Sequence, residues 1–139
     1  MAGPFDLERF VDAQAPVYDE VRRELMVGRK QSHWMWFIFP QIAGLGQSPM
    51  SIRFAIGSLN EAKAYLAHPV LGLRLRECAR LTLDVEGRNA RDIFGPIDEM
   101  KFRSSMTLFA EAAPDEDIFR RCIDKYFAGV ADPATLARI

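Results

Sequence analysis

Along this chain the apolar positions recur mostly every three to four residues, the spacing that places them on one face of an α-helix. Leu7, Phe10, Val11 and Gln14 open the pattern, with Asp6 in place to cap it. Pro16 does not continue that helix without cost but suits the first turn of the next one. There Val17, Val21 and Leu25 recur every four residues until Gly28 stops them. Ser58, followed three residues later by Glu61, reads as a capping box ahead of a helix from Ala62 to Ala67. Pro69 opens a helix in which Leu71, Leu75, Cys78 and Thr82 share a face, ending near Gly87. Asp98 is placed to cap a helix carrying Met100, Phe102, Met106 and Phe109, which stops before Pro114. Asp115 does the same for the dense stripe Ile118, Phe119, Cys122, Ile123, Tyr126 and Phe127, closing at Gly129, and Asp132-Pro133 starts a last short turn.

Two stretches in the middle are ambiguous. Trp34 to Phe39 is a buried strand or a short buried helix, a choice that periodicity does not make in so short a run. Ser51 to Ile56 alternates only weakly, which leaves an extended form open there as well. Two strands alone make no stable sheet. The pattern therefore predicts a mainly α protein, a compact single-domain bundle of about six to seven helices over residues 1–139, with a short irregular or extended aromatic segment in its middle.

Composition narrows the function classes. Hydrophobic residues at 49% and charged residues at 27% exclude wholesale disorder. Eighteen Lys+Arg against nineteen Asp+Glu leave a net charge of -1, so no bulk basic field draws nucleic acid and no nucleic-acid partner is expected. The apolar run from Trp34 to Phe39 is far short of a membrane span, and Met1 to Asp6 shows no secretory pattern, so the expected location is cytoplasmic. Cys78 and Cys122 read as buried free thiols, and His33 and His68 do not fall at metal-ligand spacing. Neither a metal nor a cofactor is expected.

Two segments concentrate chemistry. Both tryptophans, Trp34 and Trp36, lie in one aromatic run edged by Lys30, His33 and Gln41, a wall on which a planar ligand can stack. The following Gly44-Leu45-Gly46-Gln47-Ser48 offers free backbone amides suited to an anion, with Arg53 close behind. It lacks the ending of a phosphate-binding Walker loop and the third glycine of a dinucleotide fingerprint. Further on, Lys101 shares a helix face with Ser104 and Ser105, an ammonium beside two hydroxyls that suits an oxyanion or phosphate. His33 is the candidate acid/base, since an unperturbed imidazole titrates near neutrality. No Gly-x-Ser-x-Gly elbow supports a Ser–His–Asp hydrolase.

The run Ser32 to Gln41, Gly44-Leu45-Gly46-x-Ser48, the stretch Glu61 to Leu75, the Ile93-Phe94-Gly95 turn and Asp98-x-Met100-Lys101-x-Arg103-Ser104-Ser105-Met106-Thr107-Leu108-Phe109 together resemble the bacterial family DUF1810. Some of its members carry a calpastatin label that does not suit an apolar, well-capped chain. The resemblance covers about Asp6 to Asp132, implies a small helical cytoplasmic domain, and carries no catalytic residue with it. Two functions follow from the residues themselves. One is binding or processing of a small planar anionic metabolite, nucleotide or ADP-ribose-like, by Trp34, Trp36, Gln41, Gly44, Gly46, Ser48, Arg53, Lys101, Ser104 and Ser105. The alternative is a non-catalytic protein-interaction or self-association module, motivated by an aromatic content of 11%.

Overall fold

The computed structural model describes residues 5–139; the first four residues, on which the reading of the N-terminus partly rests, lie outside the described residues. Among the described residues ten helices follow one another: α1 (Glu8–Gln14), α2 (Tyr18–Val27), α3 (Met35–Ile38), α4 (Pro49–Arg53), α5 (Leu59–Ala67), α6 (Leu71–Leu83), α7 (Ala90–Phe94), α8 (Pro96–Ala112), α9 (Ile118–Phe127) and α10 (Pro133–Leu136). The mainly helical class is as expected, but the number exceeds six to seven because short helices replace the supposed extended or irregular segments. The aromatic run is α3. The first half of Ser51 to Ile56 belongs to α4, which starts where Ser48 accepts a hydrogen bond from the Ser51 amide and Pro49 fills the first position, while Ile56 at its end is extended in a bridge. The β-structure among the described residues is a single parallel bridge, Ile42 to Ile56, closing the loop that contains α4.

Most stop signals act as the sequence implies. Gly28 ends α2 at φ 80°, Gly129 follows α9 at φ 77°, and Asp132 caps α10 through the Thr135 amide. Three start signals do not. Asp6 leaves the start of α1 to Leu7, and α9 starts after Asp117 rather than Asp115. Asp98 lies inside the first turn of α8 instead of capping it, because Gly95-Pro96 already begins the helix. The capping box at Ser58 is half made: Ser58 accepts from the Glu61 amide, while the Glu61 carboxylate turns to the Gly57 amide and to Arg9. His68 marks the α5–α6 junction, its Nδ1 accepting from the amides of Val70 and Leu71 at 3.1 and 3.2 Å.

The core is one continuous cluster around α8. That helix packs against α5, α7, α9 and α10, while α6 packs against α2, α5 and α9. Phe102 of α8 holds the centre, with ring centroids 4.9 Å from Phe39 and 4.7 Å from Phe94. Both cysteines are buried free thiols, and burial pushes each up to about 12. A buried polar knot sits beneath α1, where Gln14 donates to the Phe37 carbonyl and to Tyr65. No helix of the described residues is long and apolar enough to cross a membrane.

The corner between α5 and α6 is tight enough to test. A Cβ at Gly72 would lie 2.1 Å from the Leu66 carbonyl oxygen, an atom fixed in the backbone. Gly72→Ala, which helix propensity alone would favour by about 1 kcal/mol, is therefore expected to destabilise the protein by about 1–3 kcal/mol. Thermal or urea denaturation reads the sign directly.

Candidate functional site

The described residues form an open cleft of about 420 Å³ between the loop preceding α3 and the start of α8, lined by Lys30, His33, Trp36, Asp98, Lys101 and the turn at 94–97. That volume lies within the range of small-molecule sites, about 300–1,000 Å³. A second hollow of about 310 Å³ near the start of α9 holds Arg76, Arg80 and three acids. Its Arg76 is already joined to Glu116 by two hydrogen bonds of 2.6 and 2.8 Å, which leaves it a weaker receptor for an anion.

The first wall of the cleft is built by Glu24. This buried carboxylate of α2 accepts from the backbone amides of Gln31 and Ser32 at 2.7 and 3.0 Å, from the Ser32 hydroxyl, and from the Trp34 indole N–H at 2.9 Å. Burial alone would raise its pKa, but these hydrogen bonds outweigh burial and hold it down at about 2. The loop so fixed presents Lys30. Its backbone N–H donates to the Ile93 carbonyl at 2.7 Å, and its ammonium lies 2.9 Å from Asp98 Oδ2 and 5.0 Å from the Trp34 ring centroid. With 8% of its side chain exposed, Lys30 is an almost fully desolvated charge that donates to the Ser32 carbonyl at 2.5 Å and pairs with Asp98.

The second wall is the first turn of α8. Gly95 joins it to α7 at φ 85° and ψ 166°, a conformation essentially restricted to glycine. Having no side chain at the N-cap, the helix leaves its first amides without a capping partner, and its dipole places partial positive charge there. Lys101 rises one turn later, its Nζ 5.2 Å from the Trp36 ring centroid and 3.8 Å from Asp98 Oδ1. Trp36 is half-buried, and its indole N–H is buried with no hydrogen-bond partner among the described residues. Two ammonium groups against one carboxylate, beside a helix N-terminus, make this a locally positive hollow in a chain of net charge -1.

Of the residues singled out from the sequence, the fold brings together Trp36 and Lys101, with His33 exposed at the rim. The others lie elsewhere. Trp34 is 1% exposed, its ring in the core and its N–H on Glu24. Ser104 donates to Asp132 at 2.8 Å, which ties α8 to α10, and Ser105 is fully buried. Gln41 does not line the cleft, and its backbone carbonyl accepts from the Ile56 amide. Gly44 sits under the Arg138 side chain, Gly46 packs on Ser51, and Ser48 is the cap of α4. Arg53 gives its carbonyl to Arg9 and lays its own guanidinium 5.0 Å from the Phe54 ring. The glycine turn is thus a packed connection closed by the Ile42–Ile56 bridge, and neither it nor the serine pair lines the cleft. The residues that sequence reasoning missed are Glu24, Phe94–Ile97 and Asp98. Gly95-Pro96 was the signal for the turn and for Asp98, since a proline after glycine marks a helix start and moves Asp98 from cap to first turn; nothing local signalled Glu24. Among the described residues no group of three His, Cys, Asp or Glu is placed to hold a metal ion.

The model of the family described as "Protein of unknown function (DUF1810)" matches residues 4–139. The chain belongs to DUF1810. Its likeness extends to a solved structure, the crystal structure at 1.38 Å of the conserved hypothetical protein Rv1873 from Mycobacterium tuberculosis. The two are 54% identical over 97% of this chain and 96% of that one, with a TM-score of 0.96. No curated protein matches. The DUF1810 chain and that solved protein therefore share one fold.

Proposed function

We propose that this DUF1810 chain binds a small, planar, anionic metabolite of the nucleotide or ADP-ribose-like class in the cleft between Lys30 and the start of α8. The observation that carries this reading is the meeting of Lys30, Lys101 and a half-buried Trp36 with an unpartnered indole N–H at the start of a long helix. The ammonium groups and first-turn amides receive the anionic portion, and Trp36 supplies an apolar face and a hydrogen-bond donor. If the ligand is transformed, His33 at the rim is the group placed to move a proton.

A panel of nucleoside phosphates and sugar phosphates, scored by thermal shift, tests the reading. At a hundred times its dissociation constant a true ligand stabilises the fold by about 2.7 kcal/mol. Trp36→Leu and Lys101→Gln are each expected to weaken that stabilisation strongly while leaving the unliganded fold intact. The absence of a shift with every anion on the panel would overturn it.

A second reading, docking or self-association, draws on Ile97 and Met100. These neighbours on one face of α8 are 72% and 69% exposed beside the cleft. A mass that rises with concentration in size-exclusion chromatography would favour it, whereas a constant monomer mass would not.

A further inference from the structure

Within that reading, and resting on it, we propose that Asp98 is the specificity determinant of the cleft. It selects ligands that carry a hydrogen-bond donor close to their anionic group, as the vicinal ribose hydroxyls of a nucleotide do.

The polar groups of Lys30, Lys101 and the first amides of α8 are all donors. Asp98 supplies the one acidic side chain among the cleft-lining residues. Its two oxygens are not equivalent. Oδ2 lies 2.9 Å from the Lys30 ammonium, whereas Oδ1 is 3.8 Å from Lys101, beyond hydrogen-bond distance. A carboxylate oxygen has two lone-pair directions, so Oδ1 is left as an acceptor within a hollow otherwise furnished with donors.

Support for the helix does not account for this placement, and the pairing with Lys30 engages only Oδ2. An acidic side chain in a first turn favours the helix dipole, and Glu99 already occupies that turn, paired with Arg91 at 2.9 Å. Asp98 instead stands between two lysines and reduces the positive charge available to a ligand. A site evolved only for a bare polyanion would gain from an uncharged residue there. A ligand with an anionic group and a neighbouring hydroxyl or amine uses both features: the anion meets Lys101 and the helix amides, and the donor meets Oδ1. Such a hydrogen bond to a charged oxygen discriminates by about ten- to a hundredfold against an analogue lacking the donor.

The test compares adenosine 5′-monophosphate, its 2′,3′-dideoxy analogue and inorganic pyrophosphate by calorimetry, on the wild-type chain and on Asp98→Asn. The expected result is a wild-type preference of tenfold or more for the ribose form over the dideoxy form. In Asp98→Asn that preference shrinks to about twofold, while pyrophosphate binds more tightly because a negative charge has been removed. Equal binding of the two nucleotides to the wild type overturns the role of Asp98 and leaves the cleft as an anion site. A preference that survives unchanged in Asp98→Asn overturns it as well. If none of the three compounds binds the wild type, the cleft reading falls and this inference with it. If Asp98→Asn fails to fold, Asp98→Glu, which keeps a negative charge for Lys30 but displaces Oδ1, serves in its place: loss of the ribose preference is expected, and its survival overturns the role of Asp98.

Discussion

Phe102→Ala is expected to lower the unfolding free energy by about 3–5 kcal/mol, the largest effect of any single truncation proposed for this chain. Small domains are stable by about 5–15 kcal/mol in total, so the loss is a large fraction of what holds the protein together. The size follows from where the ring sits. Phe102 is fully buried, stacks on Phe94 at 4.7 Å, meets Phe39 edge-on at 4.9 Å, and reaches Tyr126 and Phe127 at 6.3 and 6.2 Å. One side chain of α8 thus joins the end of α3, α7 and α9. Removing it leaves a cavity among aromatic rings that are themselves anchored to different helices and so collapse poorly into the gap. Urea denaturation checks the magnitude, and Phe102→Leu, which refills most of the volume, should cost clearly less. Since Phe94 also lines the cleft, the alanine variant is further expected to lose ligand-induced stabilisation.

Glu24→Gln is expected to cost about 3 kcal/mol near pH 7 and almost nothing near pH 2. The carboxylate is buried with several donors aimed at it, and its pKa of about 2 in the folded chain lies below the ordinary glutamate value of 4.5. A displacement of that size corresponds to about 3 kcal/mol of stability at neutral pH. The sign is fixed by the direction. Below about pH 2 the group is protonated in both states and contributes nothing; above about pH 4.5 it is ionised in both, and the native hydrogen bonds count in full. The contribution is therefore lost as pH falls from 4.5 towards 2. Chemical denaturation of the two proteins across that window should show wild-type stability falling steeply towards that of the variant. Parallel curves with a constant gap would contradict the assignment.

Much of this fold is legible in the sequence because local signals and packing agree. Gly28, Ser58, Asp132-Pro133 and the stripe of α9 each combine a cap or stop with a helical apolar face, and each marks a real boundary. The failures share a cause. Helix α8 runs through the centre of the molecule and is buried on most of its surface from Phe102 to Phe109. Polar residues on such a helix do not mark a solvent face, so Ser104 and Ser105 look like ligand groups while serving the interior. Short helices such as α4 and α7 have too few turns to display a period. For the cleft, residue type was enough to single out Trp36, Lys101 and His33. Glu24 and Asp98 were not legible in that way, because their importance comes from partners that only the tertiary fold supplies. The reverse holds for Trp34: two indoles two positions apart look alike in sequence, yet α3 turns one inward onto Glu24 and the other towards the cleft.

The Lys30–Asp98 pair also bears on how occupancy of the cleft is felt by the rest of the molecule. Its members come from opposite halves of the chain, and the backbone bond from Lys30 to Ile93 repeats the same long-range closure. The two walls, at Lys30 and Asp98, are separated by more than sixty residues of chain, so the cleft exists only after the distant segments have been drawn into register, with the loop-closure entropy already overcome. A molecule seated there bridges the two halves and behaves as a non-covalent cross-link. Its grip is then registered as resistance of the entire chain to unravelling, not as the stiffening of a single loop.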